Sequence, residues 1–183
     1  MNFKLIANTL AGIAILALVF IYGIDSDYTK ENTSAEPDID SPAWYLINAD
    51  VKSFDQTGRL ETRSQSSLFE HFEHKDISLA QNPFITNFNS DGSEWYVTAD
   101  NGKVLPGGND IELTQNANIR KNTPATLIQS EYFFARTDIS FLTTSKPVKI
   151  TTADSITTAI GLKAYLNDEK VKLLDNVKTT YRQ

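Results

Sequence analysis

From Pro42 onward, apolar and polar residues alternate with a period of two. Ile47, Ala49, Val51 and Ser53 share one parity, and Leu46, Asn48, Asp50 and Lys52 the other. Further along, Trp95, Val97 and Ala99 alternate with Glu94, Tyr96 and Thr98. Alternation of this kind sorts the residues onto the two faces of a strand. Turn-forming groups separate the runs: Thr57-Gly58, Ser90-Asp91-Gly92, Pro106-Gly107-Gly108-Asn109, Lys121-Asn122-Thr123-Pro124 and Asn167-Asp168-Glu169. Short strands punctuated this way predict an all-β domain of sandwich, barrel or solenoid type. No long helical period occurs in this part of the chain, although Leu68-Phe-Glu-His-Phe-Glu-His74 reads equally as helix or strand.

The pattern repeats. Ile77-Ser-Leu-Ala-Gln-Asn-Pro-Phe-Ile85, Ile111-Glu-Leu-Thr-Gln-Asn-Ala-Asn-Ile119 and Val171-Lys-Leu-Leu-Asp-Asn-Val-Lys-Thr179 share alternation, an Asn near a turn, and a return to alternation. A looser copy runs from Ile139 to Val148. The starts at 77, 111, 139 and 171 define repeats of roughly 30 residues, the spacing of stacked supersecondary units. A second strand in each unit carries a small residue and a carboxylate: Thr98-Ala-Asp-Asn101, Gln129-Ser-Glu-Tyr132 and Thr152-Ala-Asp-Ser155. Each unit buries its apolar face only against its neighbours, so the stack is continuous and its two ends are special. In the last strand Val171, Leu173, Val177 and Tyr181 oppose Lys172, Asn176 and Lys178. Ile111, Leu113, Ala117 and Ile119 likewise oppose Glu112, Asn116 and Arg120. One face is apolar and the other solvated. Two such sheets held apart along one side enclose an apolar trough.

The N-terminus breaks the pattern. Leu5–Ile24 holds 20 residues without a charge. As a helix rising about 1.5 Å per residue it spans roughly 30 Å, the hydrocarbon thickness of a bilayer. Tyr22-Gly-Ile-Asp-Ser-Asp27 lacks the small-residue pattern of a signal-peptidase site, so an uncleaved anchor is expected. Lys4 before it, with Asp25 and Asp27 after it, places residues 1–4 in the cytoplasm. Residues 25–41 carry six carboxylates against Lys30 alone, with Ser, Thr, Asn and Pro filling most of the rest. They read as a flexible acidic tether. Asn32-Thr-Ser34 in this tether matches an N-glycosylation sequon by chance. Residues 42–183 form the β domain. Net charge is −6, which removes a global basic footprint for nucleic acid, and the absence of cysteine removes disulfides and Cys-based metal sites.

With anchor, tether and repeats in place, the chain resembles the LptC family, the periplasmic, inner-membrane-anchored component of lipopolysaccharide export. The closest matches are Val171–Tyr181, Asn82-Pro-Phe-Ile-Thr-Asn-Phe88 and Trp95-Tyr-Val-Thr-Ala-Asp100. The resemblance implies a twisted open β-jellyroll of two antiparallel sheets. It implies a single-pass inner-membrane protein that receives lipopolysaccharide from an inner-membrane ABC transporter and passes it to a soluble periplasmic carrier of the same fold. The trough lining is then expected among Ala49, Val51, Leu79, Ala80, Phe84, Ile111, Leu113, Ile119, Phe141, Val148, Ile150, Val171, Leu173, Val177 and Tyr181. The first strand, Trp44 to Phe54, is expected to face the transporter. The last strand, with Lys172 and Lys178 outside, is expected to face the carrier. Gly161 is expected at a bend or close backbone approach that supports this last repeat. Ser145-Lys-Pro147, standing where other copies have Asn-Val or Asn-Ala, marks a bulge or an edge, because Pro donates no ladder hydrogen bond.

No catalytic pattern competes with this reading. His71 and His74 are three apart, on opposite faces of a strand, and no third metal ligand stands near them. Gly-x-Ser-x-Gly, Walker A and dinucleotide fingerprints do not occur, so no metal, cofactor or ATPase activity is expected. The rivals are a membrane-tethered β-sandwich glycan hydrolase using Asp100 with Asp154, and a structural tether that binds proteins but no lipid.

Overall fold

The structure is a computed structural model that describes residues 41–89, 92–139, 141–165 and 170–182. The expected anchor at 5–24 and nearly all of the tether lie outside the described residues. Among the described residues no helix is long and apolar enough to cross a membrane. The strands are β1 (Trp44–Phe54), β2 (Leu60–Phe72), β3 (Ile77–Gln81), β4 (Phe84–Phe88), β5 (Glu94–Thr98), β6 (Asn101–Val104), β7 (Asp110–Lys121), β8 (Thr126–Arg136), β9 (Phe141–Thr152), β10 (Ser155–Tyr165) and β11 (Lys170–Tyr181). The ambiguous Leu68–His74 segment is the end of β2 followed by a 3-10 turn at Glu73–Lys75.

All strand pairs are antiparallel, and the strands join into one sheet of eleven. From β11 the order runs through β10, β9 and β8 to β7, where the sheet divides. The first half of β7 pairs with β6 and the second half with β5. Those branches continue through β3 and β4 to the two halves of β2, and β1 lies along β2. The two expected sheets are thus two wings of one hydrogen-bonded sheet.

The division has a local cause. Backbone positions with positive φ fall near the middle of the long strands or strand pairs: Asn48, Asn82, Gln115, Asn116, Gly161 and Asn176. The left-handed region costs an ordinary L-residue about 1–2 kcal/mol, and Asn and Gly enter it most readily. The corners stand side by side. The Asn82 N–H donates to the Asp100 carbonyl (2.8 Å) and the Asp100 N–H to the Gln115 carbonyl (2.9 Å). Asn116 Nδ2 adds a bond to Asp100 Oδ2 at 2.7 Å. These bonds crease the sheet, so each long strand serves both wings. The Asn of the repeat is therefore the hinge residue of the crease.

Residues from both sides of the crease form the core. Ile111 and Leu113 precede it on β7, and Ala117 and Ile119 follow it. They pack with Phe133, Leu142, Val148, Ala159, Leu162 and Ala164. Across the crease β7 and β9 keep their inward parity, whereas β8 (Ser130 to Phe133) and β10 (Ala159 to Leu162) change it, with register shifts at Thr114/Ala117 and Ser130/Phe134. The expected bulge at Pro147 lies on β9, an interior strand, where the Pro147 carbonyl accepts from Ser130 Oγ at 3.0 Å.

Two features of the repeat differ from expectation. Thr152-Ala-Asp-Ser155 forms the hairpin turn between β9 and β10, where the Asp154 carbonyl accepts from the Arg182 N–H. The β10 crease comes later, at Gly161. The copy starting at Ile139 is also out of phase, because Leu142, Thr144 and Val148 are the buried residues and Phe141 is not.

Candidate functional site

Between the wings, at the β1–β3 end, lies a partly open cavity of about 100 Å³. Its apolar wall is Ala49, Val51, Phe69, Ala80, Pro83, Ile85, Val104, Leu105, Ile111 and Leu113. Gly102 keeps the space open, since an added Cβ would sit 3.4 Å from Pro83 Cγ and 3.6 Å from Ala80 Cβ. Polar groups also line the cavity. His71 Nδ1 lies 3.0 Å from Ser78 Oγ, and Asp76 and Lys103 stand near them. On the other side of the crease, Ser64 and Ser66 of β2 contribute hydroxyls. Beyond them Thr62 Oγ1 donates to Asn87 Oδ1 at 3.1 Å, a buried pair that satisfies itself.

Five expected lining residues meet at this cavity: Ala49, Val51, Ala80, Ile111 and Leu113. Ile119 and Val148 are buried in the core, and Ile150 and Leu173 pack against it. Val171 and Val177 lie on β11 and are exposed because no further strand covers them among the described residues; Tyr181 is 77% exposed. Strand alternation sends Leu79, Phe84 and Phe141 to the outer face. Ala80, next to Leu79, lines the cavity. Phe84 lies against Tyr96 with ring centroids 6.0 Å apart, and Phe141 against Tyr165 at 5.0 Å. A one-residue change of phase moves every side chain of a strand to the other face. Sequence reasoning missed Phe69, Pro83, Ile85, Val104 and Leu105. For Pro83 and Ile85 the usable signal was position just after the repeat Asn82; no such signal marks Phe69, Val104 and Leu105.

The two terminal strands of the sheet are β1 and β11. Both carry exposed apolar side chains: Tyr45, Ile47 and Phe54 on β1, and Val171, Leu174, Val177 and Tyr181 on β11. Trp44 turns inward and stacks on Phe69 and His71, with centroids 5.7 and 5.1 Å apart. Arg63 grips Asp50 with both carboxylate oxygens, at 2.8 and 2.7 Å, which ties β1 to β2. Lys172 and Lys178 are exposed on β11, and Lys172 stands directly opposite Lys163. Gly161 is buried on β10, where it sets the approach of β11.

His71 faces the cavity, whereas His74 stands in the 3-10 turn, so the histidines do not converge. Asp100 sits at a crease and Asp154 at a hairpin turn, separated by the strand order β5–β7–β8–β9. Three strand spacings amount to about 14 Å, too far for a carboxylate pair acting on one glycosidic bond.

The fold is thus a creased antiparallel jellyroll with an apolar space between its wings. Comparison with known proteins narrows the class. The model of the family described as lipopolysaccharide-assembly, LptC-related, matches residues 10–182, and the chain belongs to that family. It is a family of transport components, not of enzymes, and membership gives the chain a role in lipopolysaccharide transport. Among solved structures, the chain is similar to LptH from Pseudomonas aeruginosa, described as the LptA-homologous periplasmic component of the conserved lipopolysaccharide transport device. The TM-score is 0.54 at 9% identity, covering 67% of this chain and 95% of that one. At that identity the likeness speaks for the fold. No curated protein matches the chain.

Proposed function

We propose that this protein takes lipopolysaccharide from an inner-membrane ABC transporter and passes it to a soluble periplasmic carrier of the same fold. The observation that carries this reading is the partly open apolar cavity between the wings. Burial of each acyl methylene gains about 0.8 kcal/mol, so chains stay sheltered while the bulky sugar remains outside. Residues 5–24 anchor the chain in the inner membrane as a single pass, residues 1–4 remain cytoplasmic, and residues 25–41 tether the β domain of 42–183 in the periplasm. Fragment 25–183 then folds alone as a soluble β protein, which far-ultraviolet circular dichroism checks. A mostly helical spectrum would contradict this division.

The terminal strands supply the docking edges. An unpaired strand edge templates pairing with another sheet, and most proteins block such edges. Here β1 and β11 instead present apolar side chains suited to strand addition. The transporter docks at β1, from Trp44 to Phe54, and the soluble carrier at β11. The Lys163–Lys172 pair puts like charges opposite each other, which is locally unfavourable. An acidic partner edge relieves that repulsion.

The test is a transfer assay. Full-length protein in nanodiscs is loaded with labelled lipopolysaccharide and mixed with a soluble carrier of the same fold. Label should move to the carrier, and a Val177→Pro change on β11 should slow the transfer. A protein that binds the carrier but never retains label is a structural tether.

A further inference from the structure

The apolar wall of the cavity contains one polar group that the protein leaves unanswered. Ser64 is 8% exposed and lines the cavity, and among the described residues its Oγ has no hydrogen-bond partner. Buried hydroxyls in native proteins nearly always have a partner, and each exception calls for an explanation. The surroundings sharpen the point. In the β1–β2–β4 register Ser64 stands between Val51 and Ile85, both apolar cavity residues. The neighbouring row, Ser53–Thr62–Asn87, is also buried and polar, yet Thr62 and Asn87 bond each other and do not turn to Ser64. Alanine or valine at 64 would satisfy packing with no unpaired atom. Of the other polar lining groups, Gln65 and Ser66 follow Ser64 on β2, while His71, Ser78, Asp76 and Lys103 lie on or beside the other half of β2, across the crease. The cross-strand neighbours of Ser64 are Val51 and Ile85, so a ligand that reaches it presents mainly hydrocarbon to that row of the wall.

We propose that Ser64 is a specificity residue that hydrogen-bonds an oxygen carried on the acyl chain itself, so that the cavity selects hydroxylated fatty-acyl chains over plain ones. This rests on the lipid-carrier reading above and deepens it. The Ser64 hydroxyl both donates and accepts, which matches a chain hydroxyl. A plain chain in the same place leaves the Oγ buried and unpaired, which is the costly arrangement. Selection then works by penalising the wrong lipid, since bilayer phospholipids with unsubstituted chains surround the anchor and outnumber the cargo.

The test uses full-length protein in nanodiscs and two acylated-disaccharide glycolipids. They are identical except that one bears 3-hydroxyacyl chains and the other the deoxy chains, and each carries a terminal diazirine. Photo-crosslinking yield at equal concentration is read by mass spectrometry. The wild type should favour the hydroxylated glycolipid by about five- to tenfold, the worth of one neutral hydrogen bond. Ser64→Ala should lose that preference through weaker capture of the hydroxylated lipid, with unchanged capture of the deoxy lipid and no loss of thermal stability. Ser64→Thr, which keeps the hydroxyl, should retain it. Equal capture of both lipids by the wild type would overturn the inference while leaving the carrier reading intact, and would mean that water answers the Ser64 hydroxyl. Equal loss of both lipids in Ser64→Ala would mark the residue as structural only. No adduct with either glycolipid would overturn both readings. Competition by free 3-hydroxymyristate without any glycolipid adduct would place a free fatty acid, not a glycolipid chain, in the cavity.

Discussion

Replacing Gly161 by alanine tests how the last strand is held. The residue is buried, its φ is +81°, and an added Cβ would lie 2.8 Å from Leu174 Cδ1 and 3.3 Å from Leu174 Cβ. Two penalties combine. A side chain in the left-handed region costs about 1–2 kcal/mol. Overpacking costs typically about 1–3 kcal/mol, and the low end applies because Leu174 is 43% exposed on the terminal strand and can yield. The expected loss is about 2–3 kcal/mol. For a β domain of about 140 residues that is a fall of roughly 7–10 °C in Tm. The assay is thermal unfolding of fragment 25–183, followed by near-ultraviolet circular dichroism. A double-mutant cycle with Leu174→Ala separates the two penalties, because removing Leu174 relieves the clash but not the backbone strain. The coupling should be favourable by about 1 kcal/mol, with Gly161→Ala still costly in the Leu174→Ala background. A neutral Gly161→Ala, or a cycle without coupling, would refute the picture of β11 held by close approach at the β10 crease. Gly161→Arg, with the same strain and a larger head to place, should displace β11 and weaken carrier docking further.

Other consequences can be checked separately. Phe133 is fully buried where β8 crosses the crease, so Phe133→Ala should cost about 3–5 kcal/mol by urea unfolding of fragment 25–183. Gly102→Leu should fill the cavity without backbone strain and lower glycolipid retention while β structure persists, as read by lipid co-purification and circular dichroism. Asp55, in the β1–β2 turn, accepts from the Thr57 hydroxyl (2.6 Å) and from the Thr57 and Arg59 N–H groups (2.8 and 3.0 Å). The Thr57 side-chain bond, followed by the Arg59 backbone bond, lowers its pKa from 3.8 to about 2. A depressed carboxylate pKa stabilises the fold above the unfolded value and loses that contribution as pH falls through the folded one. Asp55→Ala should therefore melt below wild type at neutral pH, with the gap closing between about pH 4 and pH 2.

The crease was legible in the sequence as a repeated Asn, and its cause is physical. Asn enters the left-handed region at low cost, so Asn82, Asn116 and Asn176 mark the places where strands cross between wings. Gly161 was legible on the same ground, because a buried glycine in an alternating run signals a bend or a close approach, and the structure has both. Which face points inward was less legible. Ile77 and Leu79 look like Ile111 and Leu113, yet Ala80 faces the cavity and Leu79 faces out. Apolar residues occur on both faces of β3, and β8 and β10 change inward parity at the crease, from Ser130 to Phe133 and from Ala159 to Leu162. Alternation read across the crease of those two strands loses its phase, while on β7 it holds from Ile111 to Ile119. Phe141 was misplaced for a different reason: the copy starting at Ile139 is one residue out of phase with β9, whose buried residues Leu142, Thr144 and Val148 share one parity. Ser64 escaped notice because a polar residue in the run from Leu60 to Ser67 reads as solvated. The signal was size: Thr62, Ser64 and Ser66 are small and alternate with Glu61, Arg63 and Gln65. Thr62 and Ser64 are buried, and Ser66 lines the cavity. The ends of the sheet were legible almost to the residue, since the first and last alternating runs became β1 and β11.

On the proposed reading, acyl chains lie between the wings. It is tested most directly by placing a photo-crosslinking amino acid, one position at a time, at Val51, Ala80 and Leu113 on the cavity wall, and at Leu79 and Phe84 on the outer face. Each variant is irradiated in living cells and probed for lipopolysaccharide. Adducts are expected from the three wall positions and none from the two outer ones, with Leu79 silent beside a reactive Ala80. Adducts from Leu79 and Phe84 with silence at the wall would contradict the reading.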